Sequence, residues 1–175
     1  MKRLCTICAR GGSKGVPNKN IRQMAGKPLI GHSILQAQSS GLFEAIAVSS
    51  DSMKILDISK KFGADYSVFR PPELASDLAP KLPAIQHCVN EVETLSGKKF
   101  DVIVDLDATS PLRIKKDIEG AVKLLEDKNV SNVITGCPAR RSPYFNLVEK
   151  DERGCVRLSK SPEQRSLKGF NSLKE

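Results

Sequence analysis

An α/β fold, a doubly wound and mainly parallel sheet with helices on both faces, is predicted from two observations along the 175-residue chain. Short apolar runs alternate with segments whose apolar residues recur at the helical period of 3.6. Polar and basic motifs then follow the apolar runs directly, at the positions that become the carboxyl ends of parallel strands. Apolar runs predict strands at 4–9, 45–49, 66–69, 102–106 and 132–137. Helical spacing predicts helices at 29–39, 52–62, 80–95 and 114–126. The third helix is expected to bury Ile85, Cys88, Val89, Val92 and Leu95. The fourth should bury Ile118, Ala121, Val122 and Leu125, leaving Lys115, Lys116, Glu119 and Lys123 on its other face. In a Rossmann-like sheet of this kind, ligands sit beyond the carboxyl ends of the strands, where strand order reverses. Arg10 follows the first strand, Ser50 and Asp51 the second, Arg70 the third, and Asp107 to Arg113 the fourth.

The segment after the first strand, Arg10-Gly-Gly-Ser-Lys-Gly-Val-Pro-Asn-Lys-Asn-Ile-Arg22, reads as a phosphate cradle. Gly11, Gly12 and Gly15 allow left-handed backbone angles and close approach, so that N–H groups can converge on one concavity. Arg10, Lys14, Lys19 and Arg22 supply charge-assisted hydrogen bonds to anionic oxygens. No Asp or Glu precedes Glu44, so the counter-charge must come from a ligand. The spacing departs from a P-loop, because Val16 follows Gly15. It also departs from the dinucleotide fingerprint, because Gly11 and Gly12 are adjacent and Pro17 stops an immediate helix.

The net charge of +8 is concentrated, with +7 in residues 1–43, −3 in 44–137 and +4 in 138–175. That distribution, with six Phe, two Tyr and no Trp to make a stacking platform, argues against nucleic acid as a partner. No apolar stretch approaches the ~20 residues of a membrane span, and the first residues do not resemble a signal peptide. No membrane partner and a cytoplasmic location are therefore expected. Cys5 and Cys8 have C-x-x-C spacing, but no second pair exists, and alternation puts them on opposite faces of a strand. They read as structural thiols, as do Cys88, Cys137 and Cys155. His32 and His87 read as structural.

Five stretches together resemble one family, the cytidylyltransferases that activate sialic acid and related nine-carbon sugar acids. They are Ala9 to Asn20, Gly26-Lys-Pro-Leu-Ile30, Val48-Ser-Ser-Asp51, Arg70-Pro-Pro-Glu-Leu-Ala-Ser-Asp77 and Asp105-Leu-Asp-Ala-Thr-Ser-Pro-Leu-Arg113. The resemblance implies a nucleotide-diphospho-sugar transferase-like fold over residues 1–137. It implies CTP and a 2-keto-3-deoxy sugar acid, of sialic or legionaminic type, as substrates, with a CMP-sugar and pyrophosphate as products. Mg²⁺ or Mn²⁺ is the implied cofactor. The sugar hydroxyl is the nucleophile, so the protein supplies positioning and charge.

On this reading Arg10, Gly11, Gly12, Ser13, Lys14 and Lys19 hold the triphosphate, and Arg10 and Lys19 balance charge as pyrophosphate leaves. Asn20 matches a position that touches the nucleotide, although an Asn beside a turn can simply cap it. Arg70 is assigned to the cytosine edge, against the alternative of a salt bridge to Glu73 or Asp77. Many members of the family have Gln where this chain has Asp107, and the Asp form resembles legionaminic-type relatives. A carboxylate beside a triphosphate requires a cation between them, so Asp107 is a candidate metal ligand. Arg113 is a candidate for phosphate or sugar carboxylate, or for capping the loop.

Residues 138–175 read as part of an arm. Apolar pieces at 144–148 and 155–158, divided by Asp151-Glu-Arg-Gly154, predict a hairpin. The resemblance makes this arm a clasp on a second subunit, hence a homodimer. It also implies some fifty further residues, including an Asn-Gly-x-Ile-Tyr strand and an acidic metal-binding pair, which the stretch ending Lys168 to Glu175 does not match. A fragment or shortened reading frame is expected, and with it the alternative of a protein that binds CTP without turnover. A cytidylyltransferase for another sugar acid, such as Kdo, is the remaining alternative.

Overall fold

The computed structural model describes residues 1–76, 78–136, 141 and 147–160. Residues 1–133 form one compact unit and residues from 134 onward a second. In the first unit, β1 (Arg3–Cys8) is followed by a small hairpin of β2 (Gln23–Met24) and β3 (Lys27–Pro28). Ala25 and Gly26, at φ 47° and 77°, make its two-residue turn, with the double positive φ of a tight hairpin. Then come α1 (Leu29–Ser40), β4 (Ala45–Ser50), α2 (Met53–Lys61), β5 (Tyr66–Phe69), α3 (Lys81–Ser96), β6 (Val102–Asp105) and α4 (Lys115–Lys128).

The four main strands lie in the order β5-β4-β1-β6, all parallel. Parallel neighbours require crossovers, and α1, α2 and α3 supply them. Side-chain alternation along β1 divides the core. Cys5, Ile7 and Ala9 face Ile30 and Ile34 of α1, Leu56 of α2 and Ile118 of α4. On the opposite face, Leu4 packs with Cys88 and Val92 of α3. Ile7, Ile34, Val48 and Val92 are fully buried, each contributing about 1.5–3 kcal/mol of transfer free energy. Helices α1 and α3 end at Gly41 and Gly97, whose φ of 67° and 66° is the left-handed cap that glycine adopts without strain.

The doubly wound fold and the first four predicted strands are as the sequence indicates. The fifth is not: residues 132–136 have no regular structure, Ile134 is 84% exposed, and Cys137 lies outside the described residues. An apolar run becomes a strand only against a partner, and in the described sheet β6 is an unextended edge. Leu95, expected to be buried, is also exposed.

The second unit shows the predicted hairpin, with β7 (Val148–Lys150) antiparallel to β8 (Val156–Leu158). Gly154, at φ 82°, and the Asp151 carboxylate, which accepts from the Arg153 and Cys155 N–H groups, form its turn. Asp77, Tyr144 and the segment ending Lys168 to Glu175 lie outside the described residues. Among the described residues no helix is long and apolar enough to cross a membrane.

Candidate functional site

Strand order places a switch point between β1 and β6, because the chain leaves β1 toward α1 on one face while α3 reaches β6 from the other. A cavity of about 550 Å³ opens there. Its walls include Arg10, Ser13, Lys14, Gly15 and Lys19 from the loop after β1, with Asn20 at that loop's end. Arg70 follows β5, Lys81 begins α3, and Asp107 follows β6. Residues nearly 100 positions apart in sequence are thus brought together by parallel pairing of β1 with β6, in which Thr6 is opposite Asp105.

The basic loop is anchored from within. The Gly11 N–H donates to Asp51 Oδ1 at 2.8 Å, and the Ser13 N–H to the Gly11 carbonyl at 2.9 Å. Asn20, 6% exposed, donates from Nδ2 to the Arg10 carbonyl at 2.9 Å and so ties the two ends of the loop together. This is the capping use of the Asn, on a residue that also lines the cavity. Two features differ from the sequence expectation. None of Gly11, Gly12 and Gly15 has a positive φ; the left-handed residue is Asn18, at φ 54°, ahead of the turn Lys19–Ile21. Gly11 and Gly12 are outside the cavity lining, and Gly11 is small for another reason: a Cβ there would lie 3.0 Å from Ser52 Cβ.

Arg70 is 5% exposed and held against β4, with Nε donating to Ser49 Oγ at 3.1 Å and Nη2 to the Ser49 carbonyl at 2.8 Å. Nη1 is not engaged by any described residue, and Arg70 makes no ion pair with Glu73; Asp77 lies outside the described residues. Arg113 is not brought into the cavity. Its Nη1 donates to Gln36 Oε1 at 3.0 Å and its Nη2 to the Asp107 carbonyl at 3.1 Å, which braces the 107–113 loop on α1.

Lys81 and Asp105 went unrecognised in the sequence. The Lys81 ammonium pairs with both Asp105 Oδ2 and Asp107 Oδ1, and Asp105 Oδ1 accepts from the buried Thr6 hydroxyl at 3.1 Å. Burial disfavours the charged lysine, yet the hydrogen bonds to Asp105 and Asp107 outweigh it and hold its pKa above the ordinary value. The available signal was positional: a helix that starts at Pro80 starts at the same end of the sheet as the binding loops. Cys8 also lines the cavity, and its thiol is pushed up to about 11, chiefly by burial and then by Asp105. Cys5, on the opposite face as alternation predicts, is raised by burial as well.

Among the described residues no group of three or more His, Cys, Asp or Glu is gathered as a metal cage. Asp105 and Asp107 are two hard oxygen donors joined through one lysine. That set fits Mg²⁺, which commonly takes one or two carboxylates and completes its shell with water and substrate phosphates.

A parallel α/β sheet with a cation-lined cavity at its switch point defines the class, a protein with the nucleotide-sugar transferase type of fold. The cytidylyltransferase family profile matches residues 4–150, and the chain belongs to that family. It is 46% identical over 158 residues to the post-translational flagellin modification protein B of Campylobacter coli, covering 90% of this chain and 67% of that protein. It is 47% identical over 146 residues to the CMP-N,N'-diacetyllegionaminic acid synthase of Campylobacter jejuni, covering 83% of this chain and 62% of that one. The chain therefore spans roughly two-thirds of the length of these relatives. Among solved structures, CMP:2-keto-3-deoxy-manno-octonic acid synthetase complexed with CTP superposes with a TM-score of 0.60 at 21% identity, over 74% of this chain and 49% of that one. A cytidylyltransferase from Leptospira borgpetersenii gives a TM-score of 0.54 at 25% identity, over 71% and 48%.

Proposed function

We propose that this protein transfers CMP from CTP to a 2-keto-3-deoxy sugar acid of the sialic or legionaminic type, releasing pyrophosphate. The observation that carries the reading is the convergence of Arg10, Lys14, Lys19 and Arg70 on one cavity at the switch point. The 47% identity to a legionaminic acid synthase supports the choice of sugar class. Arg10, Ser13, Lys14 and Lys19 hold the triphosphate, and Arg70, already fixed by Ser49, offers its remaining N–H donors to the cytosine edge. The anomeric hydroxyl of the sugar attacks the α-phosphorus as the bond to the bridging oxygen of the β-phosphate breaks. Arg10 and Lys19 balance the negative charge that grows on departing pyrophosphate. Asp105 and Asp107 would hold Mg²⁺, which when bound offsets phosphate charge.

Calorimetry with CTP and Mg²⁺, followed by pyrophosphate release in the presence of N-acetylneuraminic or legionaminic acid, tests the reading. Heat with CTP and release with one of the sugars are expected. Heat without release favours a CTP-binding protein without turnover, and binding of ATP in place of CTP overturns the assignment.

We further propose a cytoplasmic homodimer. The location follows from the proposed use of CTP. The hairpin supports the dimer, because Val148, Val156 and Leu158 share one face of it and are 53%, 65% and 37% exposed. Light scattering should return twice the chain mass, and a monomer at high micromolar concentration would count against it.

A further inference from the structure

Two carboxylates at the end of one strand repel each other unless a cation lies between them, and here the protein provides its own. Asp105 is positioned first, because the Thr6 hydroxyl donates to Oδ1 and leaves Oδ2 to Lys81. Lys81, the first residue of α3, reaches that oxygen and Asp107 Oδ1 together. An ammonium has three donors, so two are engaged and one remains. The lysine side chain is 43% exposed and that of Asp107 60%, which leaves both able to exchange partners. Lys81 also lines the cavity in which Arg10, Lys14 and Lys19 converge.

We propose that Lys81 is a built-in counter-cation of the nucleotide site: its ammonium holds Asp105 and Asp107 together while the site is empty and yields them when polyphosphate arrives. The inference rests on the CTP reading above and assigns a new positioning residue to it. Arriving phosphate oxygens are alternative acceptors for the ammonium, and its departure leaves two carboxylates for a divalent cation. Metal entry without nucleotide is thereby opposed, and nucleotide and metal load together.

The test is a pair of titrations on the full chain, Mn²⁺ alone followed by electron paramagnetic resonance and CTP in EDTA followed by calorimetry. Lys81→Met should tighten Mn²⁺ binding about 2- to 5-fold, the worth of a half-exposed ion pair, and weaken CTP by a similar factor. Lys81→Arg should return both toward wild type. Lys19→Met should weaken CTP and leave Mn²⁺ unchanged, since Lys19 pairs with neither carboxylate. Lys81→Gln repeats the measurement with a polar side chain should Met disturb the fold. A wild-type protein that binds CTP, with Mn²⁺ affinity unchanged or lowered in both Lys81→Met and Lys81→Gln, overturns this inference alone. A wild-type protein without CTP binding overturns the function and the inference together.

Discussion

Gly11→Ala separates the anchoring of the basic loop from its charge. Gly11 lies outside the left-handed region, so an added methyl meets contact and no backbone strain. Its Cβ would sit 3.0 Å from Ser52 Cβ, 3.6 Å from Ser52 Oγ and 3.8 Å from Asp51 Oδ1. Ser52 opens α2, and its Cβ is fixed by the backbone, so the loop has to move by a few tenths of an ångström. Overpacking of this kind costs about 1–2 kcal/mol, and the lower entropy of unfolded Ala returns about 0.5 kcal/mol. The net loss is about 1 kcal/mol of stability. The same displacement stretches the Gly11 N–H bond to Asp51, now 2.8 Å, and misplaces the cations behind it. CTP affinity should fall about fivefold or more. Ser52 makes no side-chain cap bond, so Ser52→Gly removes the offending atom at little cost. The double variant Gly11→Ala/Ser52→Gly should therefore recover at least half of both losses. Urea denaturation and CTP calorimetry on the four proteins read the cycle. A Gly11→Ala protein equal to wild type in both assays, or a double variant no better than the single, refutes the contact as the reason for glycine.

Three further outcomes are expected. Arg70→Lys cannot reproduce both bonds to Ser49 and should lose about 1–2 kcal/mol of stability and about tenfold in CTP affinity; a midpoint shift without an affinity change would remove Arg70 from the nucleotide site. Arg3 holds Glu126 through Nε at 2.7 Å and Nη2 at 3.0 Å, and the hydrogen bond from Arg3 lowers the Glu126 pKa from 4.5. That stability is present above pH 4.5 and fades as pH falls through the lowered value, so Glu126→Gln should reduce the urea midpoint at pH 7 and flatten its decline in acid; an unchanged acid limb would contradict the pairing. Iodoacetamide at pH 8 should label exposed Cys155 ahead of Cys5, Cys8 and Cys88, whose thiols burial keeps protonated, and mass spectrometry showing Cys8 labelled equally fast would contradict its placement.

Most of the scaffold could be read because each strand carries a short apolar signature and each binding motif follows one. Arg10, Arg70 and Asp107 fell at strand ends in the sequence and line one cavity in the fold. What could not be read depends on pairing or close approach. The run at 132–136 has a strand-like composition but, among the described residues, joins no sheet. The sequence predicts left-handed angles for Gly11, whereas its reason is the proximity of Ser52, a residue 41 positions later, visible only once β1 and β4 lie side by side. For Arg113 the sequence leaves an anion ligand and a cap on the loop as alternatives, and the bonds to Gln36 of α1 and the Asp107 carbonyl are of the second kind. Lys81 belongs to no motif, and nothing local to it reveals that its ammonium pairs with Asp105 and Asp107.

The pairing of β1 with strands contributed by residues 45–50 and 102–105 bears on how the molecule forms. Arg3 stands beside Val102, so the chain must close a loop of about a hundred residues before its central strand has both neighbours, and such non-local closure is slow. On a ribosome, the amino-terminal cations emerge early and wait for β6 to be synthesised. Nucleotide would accordingly trap the finished fold by mass action rather than template it, so added CTP should slow unfolding while leaving the refolding rate nearly unchanged.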